Sequence, residues 1–124
     1  MAMNLIDTSC WVHCLRQRGN TQIRSNVEHL MRSGEALWCP QIRLELWKGV
    51  GSEQDRLVLK QLEQTLPELD ITDDVWELAC DLAGKCRAAG RTVPSGDLLI
   101  AACARHHGAK LVHADKHFDW IAKL

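Results

Sequence analysis

Short apolar segments of the chain alternate with longer stretches of helical periodicity, and this alternation limits the fold more than any other feature. Four apolar segments are interpreted as strands: Met3 to Asp7, Ala36 to Cys39, Leu69 to Ile71 and Lys110 to Val112. Strands that alternate with helices are joined by crossovers, and the two strands of such a unit run parallel. These crossovers are almost always right-handed. Helices cover both faces of such sheets. We therefore predict an α/β fold with a mostly parallel central sheet.

The helical segments have apolar residues three and four positions apart and recognisable ends. Thr8 and Ser9 are expected to cap the first helix, Thr72 caps a later one, and Asp97 opens the apolar helix that follows it. The predicted helices cover Cys10 to Leu15, Thr21 to Gly34, Pro40 to Gly49, Glu53 to Leu66, Asp73 to Ala89, Leu98 to Arg105 and a last segment that starts near His117.

Length and composition indicate a single domain over residues 1–124. The chain is 46% hydrophobic, which is enough for one sizeable core. The formal net charge is −1, so nucleic-acid binding would depend on local positive charge, such as the group Lys85, Arg87 and Arg91. Alternatively, these basic residues form an ordinary solvent-exposed surface with no binding role.

The six cysteines are interpreted as reduced and mostly buried, which is typical of a cytoplasmic protein. They are Cys10, Cys14, Cys39, Cys80, Cys86 and Cys103. No signal peptide is recognisable, and no apolar run approaches the ~20 residues that a membrane span needs. We expect a cytoplasmic location and no membrane partner.

Four acidic residues are predicted to meet at the carboxyl edge of the sheet. Asp7 and Asp115 follow the first and last strands, Asp97 starts a helix, and Glu45 lies on the otherwise apolar stripe of the helix after strand two. Ligands bind at this edge in parallel α/β sheets. Four clustered carboxylates repel one another unless a hard divalent cation binds them. Mg²⁺ or Mn²⁺ could orient a phosphate, activate water and neutralise the leaving oxygen, as phosphodiester hydrolysis requires.

Four motifs in their order along the chain resemble the PIN-domain ribonucleases, in particular the VapC-type toxins of toxin–antitoxin pairs. The motifs are Leu5-Ile6-Asp7-Thr8-Ser9-Cys10-Trp11, Glu45-Leu46-Trp47-Lys48-Gly49, Gly96-Asp97-Leu98-Leu99-Ile100-Ala101-Ala102 and His113-Ala114-Asp115-Lys116-His117-Phe118-Asp119-Trp120-Ile121-Ala122. The resemblance covers nearly the whole chain. It implies a three-layer α/β/α sandwich and Mg²⁺- or Mn²⁺-dependent endoribonuclease activity, often on transfer RNA or other structured RNA. It also implies a homodimer and an inhibiting antitoxin of the VapB type.

The resemblance also implies roles for individual residues. Asp7, Glu45, Asp97 and Asp115 take the positions of the family's catalytic and metal-binding acids. Ser9 takes the position of a hydroxyl that orients the first acid or a water on the metal. The chain departs from the family pattern at His113, where many relatives have Thr or Ser. Asp119 is a minor candidate, because the last helix should turn it away from the metal.

Structural roles are the alternatives for these residues. Asp7 and Asp97 could cap helices, and Glu45 could pair with Arg43, Lys48 or Arg87. A zinc site is disfavoured because its candidate ligands match no known spacing; they are Cys103, His106, His107, His113 and His117. Trp11 and Trp47 are expected to contact a partner.

Two other functions compete with the ribonuclease. One is a PIN-like scaffold that binds RNA or protein without catalysis, which the presence of all four acids disfavours. The other is a haloacid-dehalogenase-like phosphatase, which needs a second aspartate two residues after the first. Ser9 occupies that position here.

Overall fold

The computed structural model describes residues 2–124, which contain seven helices and three strands. In chain order the elements are β1 (Asn4–Ile6), α1 (Thr8–Leu15), α2 (Thr21–Arg32), β2 (Ala36–Leu37), α3 (Pro40–Lys48), α4 (Glu53–Thr65), α5 (Asp73–Ala88), α6 (Ser95–His107), β3 (Lys110–Val112) and α7 (Lys116–Ala122). The predicted order of strands and helices is confirmed except for one strand.

The three strands form one parallel sheet in the order β2-β1-β3. Leu5 in the central strand pairs with Leu37 on one side and with Leu111 on the other. All three residues of β1 are buried. Since consecutive strand residues point to opposite faces, both faces of the sheet are covered. The predicted three-layer α/β/α sandwich is confirmed, and the carboxyl ends of its strands lie along one edge.

The predicted strand from Leu69 to Ile71 is wrong. Among the described residues, this part of the chain joins the sheet only through a single parallel bridge between Trp38 and Glu68. The Leu69 N–H donates to the Trp38 carbonyl at 2.9 Å, but the next carbonyl, that of Asp70, instead hydrogen-bonds the His107 ring at 2.7 Å. The pairing therefore stops after one residue.

The first helix begins earlier than predicted. It starts at Thr8, and its N-cap is Asp7, whose carboxylate accepts a hydrogen bond from the Ser9 N–H. Thr8 and Ser9 are therefore helical residues and not caps. The predicted cap at Thr72 is confirmed, because its hydroxyl accepts the Val75 N–H at 3.3 Å.

Helix α6 also begins earlier than predicted, at Ser95. The Pro94 carbonyl accepts hydrogen bonds from the N–H groups of Asp97 and Leu98 and so closes the first turn. Asp97 is therefore the third residue of the helix and not its first. The Asp97 carboxylate therefore lies near the positive end of the helix dipole. It does not cap the helix.

Helix α6 forms the centre of the hydrophobic core. Every residue from Leu98 to Ala104 is buried, and its most extensive helix contact is with α5. This continuous burial fits a helix enclosed on all sides. Nevertheless, within residues 2–124 neither α6 nor any other helix has the length and apolar character needed to cross a membrane.

The six cysteines are all free thiols, as predicted. Cys10, Cys39, Cys86 and Cys103 are buried, and Cys14 is half-buried. Cys80 is exposed, so the expectation of burial does not extend to it. Burial and the neighbouring charge of Asp7 raise the pKa of the Cys10 thiol to about 11, which keeps it protonated at neutral pH.

Trp11 is a core residue, and the expectation that it contacts a partner is wrong for the folded chain. Its side chain is 2% exposed, and its indole N–H donates to the Ile6 carbonyl at 2.8 Å. This bond satisfies the last carbonyl of β1, directly before Asp7. Trp47 remains partly exposed, with its indole N–H donating to Glu63 at 3.1 Å.

Replacement of Trp11 by Phe should destabilise the fold by about 2–3 kcal/mol, because it leaves a buried carbonyl without a donor and opens a small cavity. Urea unfolding of the reduced protein measures this cost. Trp76→Phe is the matched control, since Trp76 is 54% exposed and its replacement should cost little. Equal stability of the two variants would show that the Ile6 bond contributes nothing.

Candidate metal centre

Asp7 is the most buried acid at the carboxyl edge of the sheet. It directly follows β1 and is 3% exposed. Its Oδ2 accepts the Ser9 N–H at 2.9 Å, whereas its Oδ1 is buried with no hydrogen-bond partner among the described residues. Burial raises the pKa of Asp7, hydrogen bonds from Ser9 lower it in part, and the charge of Glu45 raises it further.

Asp97 enters the same edge from the first turn of α6. Its side chain is 14% exposed, and its Oδ2 lies 2.9 Å from His117 Nδ1. Burial and the charges of Asp7 and Asp115 raise the pKa of Asp97 to about 6, against a smaller lowering by His117. The carboxylate therefore holds a proton more tightly than an ordinary aspartate, as expected beside other acids.

Asp115 is the N-cap of α7, in the loop that follows β3. Its Oδ1 accepts the backbone N–H of His117 at 3.0 Å, and His117 Nδ1 lies 3.0 Å from the same oxygen. Its side chain is about one-third exposed. The helix cap and the ring contact together fix one carboxylate oxygen and leave the other free of described partners.

Glu45 approaches from α3 and is held by two side chains. Thr8 donates to its Oε1 at 2.6 Å, and Gln41 donates to its Oε2 at 2.8 Å. A Cβ atom on Gly96 would lie 2.6 Å from Glu45 Oε2, so only glycine allows α6 to start this close to the carboxylate. None of the basic residues considered as alternatives pairs with Glu45; Arg43 instead pairs with Glu68 at 3.1 Å.

Ser9 links the first acid to the last. Its backbone N–H binds Asp7, and its hydroxyl accepts the Ala114 N–H at 3.0 Å. Ala114 directly precedes Asp115. Ser9 therefore ties the start of α1 to the loop after β3.

The structure brings the four predicted acids together unevenly. Ligand atoms of Asp97, Asp115 and His117 all lie within 4.8 Å of one another, whereas Asp7 and Glu45 are outside this tight group. Their charges still act on it, because Asp7 raises the pKa of Asp97 and Glu45 raises that of Asp7. Glu45, Asp7, Asp97 and Asp115 thus form a chain of neighbouring carboxylates along the edge.

Sequence reasoning missed the part that His117 plays in this arrangement. It considered His117 only as a zinc ligand together with other histidines and Cys103. The usable signal was its position two residues after an N-capping aspartate, where the backbone N–H of His117 returns to that carboxylate. It also missed Thr8 and Gln41 as the residues that hold Glu45.

The remaining candidates lie apart from the carboxylates. Asp119 is 69% exposed and lies 3.7 Å from His113 Nε2, and it is not a member of the group formed by Asp97, Asp115 and His117. His106 and His107 lie at the C-terminal end of α6. Within the described part of the chain, Cys103 and these histidines form no group with metal-ligand spacing.

Positive charge lies beside the acids on Trp120. The Arg91 guanidinium lies 4.5 Å from the centre of the Trp120 ring and Lys116 Nζ lies 5.5 Å from it. The same indole ring makes an edge contact with His117, with ring centres 5.3 Å apart. Two cations therefore lie on the indole ring that contacts His117, the histidine between Asp97 and Asp115.

Comparisons of the sequence with a family model and with related proteins indicate the same family. The family model for the PIN domain matches residues 5–124. The chain is 36% identical over 126 residues to the VapC ribonuclease Mb1587 of Mycobacterium bovis, an alignment that covers 98% of this chain and 93% of that protein.

Solved structures show the same fold. DNA-bound VapBC from Salmonella typhimurium matches with a TM-score of 0.79 at 18% identity, covering 96% of this chain and 92% of that chain. VapBC2 from Rickettsia felis, bound to a promoter DNA fragment, matches with a TM-score of 0.78 at 20% identity, covering 98% and 95%.

Proposed function

Because this chain belongs to the PIN domain family, we propose that it is a metal-dependent endoribonuclease and the toxin of a toxin–antitoxin pair. The observation that carries the proposal is the buried Asp7 Oδ1, which has no hydrogen-bond partner among the described residues and lies in a row of carboxylates. A buried carboxylate oxygen without a partner is costly unless a cation or a proton satisfies it. The 36% identity to a VapC ribonuclease supports the reaction class.

The donor set fits a hard divalent cation. Carboxylate oxygens are the ligands that Mg²⁺ and Mn²⁺ take in proteins. Burial and the charges of Asp7 and Asp115 raise the pKa of Asp97, and a bound cation would offset both effects. Asp7, Asp97 and Asp115 would hold the ion, with Glu45 at the rim of the site. When bound, the ion would neutralise charge on the phosphate and make water more acidic.

The protein's own residues prepare the reaction. Hydrolysis joins a water oxygen to phosphorus, breaks the bond to one ribose oxygen and gives that oxygen a proton. Glu45, fixed by Thr8 and Gln41, offers carboxylate lone pairs that can orient the attacking water. Ser9 holds Asp7 and the loop before Asp115 in register. These bonds keep the acids in place as the phosphate binds.

RNA is the proposed substrate, despite the net charge of −1. Arg91 and Lys116 supply local positive charge on the Trp120 ring, which contacts His117. Their charge favours a phosphodiester backbone.

A VapB-like antitoxin is the proposed protein partner. The fold likeness to VapBC structures supports a partner of this kind. A homodimer is proposed because the resemblance to the PIN-domain family implies one. Residues 1–124 would act as one domain, located in the cytoplasm, where RNA and reduced cysteines coexist. Growth arrest on expression of the chain, relieved by the product of a neighbouring short reading frame, would support the pairing.

The test of the activity is cleavage of total RNA by the purified chain without a partner, in Mn²⁺, in Mg²⁺ and in chelator. We expect cleavage only with a metal, and a loss of at least about 100-fold for Asp7→Asn. Asp119→Asn is the matched control, because it removes an exposed acid from the same end of the molecule and should cleave like the parent.

Other results would contradict the proposal. Cleavage that persists in chelator, or in Asp7→Asn, would indicate a contaminating nuclease or another mechanism. A chain that binds the metal but cuts no RNA would support the alternative function, a PIN-like scaffold that binds RNA or protein without catalysis.

A further inference from the structure

His117 Nδ1 occupies an unusual place between two carboxylates. It lies 2.9 Å from Asp97 Oδ2 and 3.0 Å from Asp115 Oδ1. A neutral imidazole nitrogen carries at most one proton, so it can donate fully to only one of these oxygens. When both carboxylates are ionised, the second oxygen therefore receives no full hydrogen bond from the ring.

The spacing fits three ligands on one ion. Neighbouring ligand atoms of an octahedral ion with bonds of about 2.1 Å lie about 3.0 Å apart. The nitrogen is at about that distance from both oxygens. Each of the three residues also offers a ligand atom within 4.8 Å of those of the other two. Asp7, the neighbouring acid, is buried, and its Oδ1 has no hydrogen-bond partner among the described residues. A cation bound at this edge would satisfy that oxygen, which supports a metal site independently of the His117 geometry.

The His117 ring is held in this orientation from two sides. Its backbone N–H donates to Asp115 Oδ1 at 3.0 Å, and its ring packs edgewise on Trp120. Its side chain is 23% exposed. The backbone bond fixes the residue that carries the ring, and the edge contact with Trp120 restricts rotation of the ring.

We propose that His117 is a nitrogen ligand of the ion held by Asp97 and Asp115, and that it makes the site prefer Mn²⁺ over Mg²⁺. The inference rests on the proposed metal-dependent function and specifies its ion. Mg²⁺ favours oxygen ligands and retains its water, whereas first-row transition ions accept imidazole. One nitrogen in place of an oxygen therefore costs Mg²⁺ more than Mn²⁺.

The experiment uses the full chain with Mn²⁺ and reads the ligand directly. Pulsed electron paramagnetic resonance should show coupling of the Mn²⁺ electron spin to a ¹⁴N nucleus in the parent. His117→Gln should lose this coupling and bind Mn²⁺ about 10- to 100-fold more weakly, with a much smaller change for Mg²⁺. His106→Gln is the control, since His106 is exposed at the end of α6 and should leave both measurements unchanged.

A second variant keeps the test informative if His117→Gln is unstable. His117→Asp supplies an oxygen, so we expect it to retain metal binding, lose the ¹⁴N coupling and shift its preference towards Mg²⁺ by about tenfold or more. The ion preference is measured by competition between the two ions, without any RNA.

Failure of this inference is separable from failure of the proposed function. If the parent binds Mn²⁺ and cuts RNA but shows no ¹⁴N coupling, His117 is only a hydrogen-bond partner of the acids and the ribonuclease proposal stands. Equal losses of Mn²⁺ and Mg²⁺ in His117→Gln would also overturn the stated preference. If the parent binds neither ion, the metal-dependent function falls together with the inference.

Discussion

The Asp97→Asn variant is expected to lose RNA cleavage by at least about 100-fold and, without metal, to be more stable than the parent at neutral pH. The first effect follows from removing a charge that would hold the metal. The second follows from the raised pKa of Asp97, which shows that its ionised form is disfavoured in the folded protein. A residue that costs stability but is needed for activity is typical of an active site.

The sign of the stability effect depends on pH. The pKa of Asp97 is about 6 in the folded chain against 3.8 for an ordinary aspartate, so the folded state binds more protons between these values. The parent should therefore lose stability as pH rises from about 4 to about 6, by up to about 3 kcal/mol, and then level off. The variant lacks this loss, so the two proteins should differ little at pH 4 and most above pH 6.

Urea unfolding of reduced protein in chelator, at pH 4 and pH 7, measures the difference. Asp119→Asn is again the control, because its exposed acid should change neither stability nor cleavage. Addition of Mn²⁺ should stabilise the parent and leave Asp97→Asn nearly unchanged, since ligands stabilise only the state that binds them. An Asp97→Asn protein that is less stable than the parent at pH 7 would mean that the His117 contact outweighs the repulsion among the acids.

The Gly96→Ala variant is expected to lose at least about tenfold in cleavage while the free energy of unfolding changes by less than about 1 kcal/mol. A Cβ atom there would lie 2.6 Å from Glu45 Oε2 and 2.7 Å from Gln41 Nε2. Both atoms are at the ends of flexible side chains, so the fold can adapt by moving them. Glu45 would then leave its bonded position, and misplacement of a positioned group by about 1 Å is enough to reduce activity.

Gly84→Ala provides the matched control for this prediction. Gly84 is exposed within α5, and a Cβ atom there meets nothing within 4 Å. Alanine should stabilise that helix by about 0.5–1 kcal/mol and leave cleavage unchanged. Full activity in Gly96→Ala would show that the observed position of Glu45 is not needed for the reaction.

Local sequence patterns were sufficient for most of the fold. The three strands and the helices between them could be predicted because apolar periodicity depends on which side of an element is buried. The edge that carries Asp7 and Asp115 could be predicted as well, because parallel strands place their carboxyl ends together.

The wrong predictions concern segments whose structure depends on contacts between residues far apart in the sequence. The segment from Leu69 to Ile71 is apolar enough for a strand, but the Asp70 carbonyl bonds His107, which lies 37 residues further along the chain. Trp11 belongs to a motif beside the acids, yet its indole is used inside the core. Neither outcome has a signal in the local sequence.

The sequence by itself determined most of the elements, their parallel arrangement and the acids at the strand ends, since each of these follows from residues close together in the chain. Only the tertiary structure decided how the acids meet. It placed His117 between Asp97 and Asp115, bound Glu45 to Thr8 across 37 residues, and left Asp7 Oδ1 without a described partner. The reason is physical: hydrogen bonds and charge repulsion act over a few ångströms in space, and packing alone brings these residues that close.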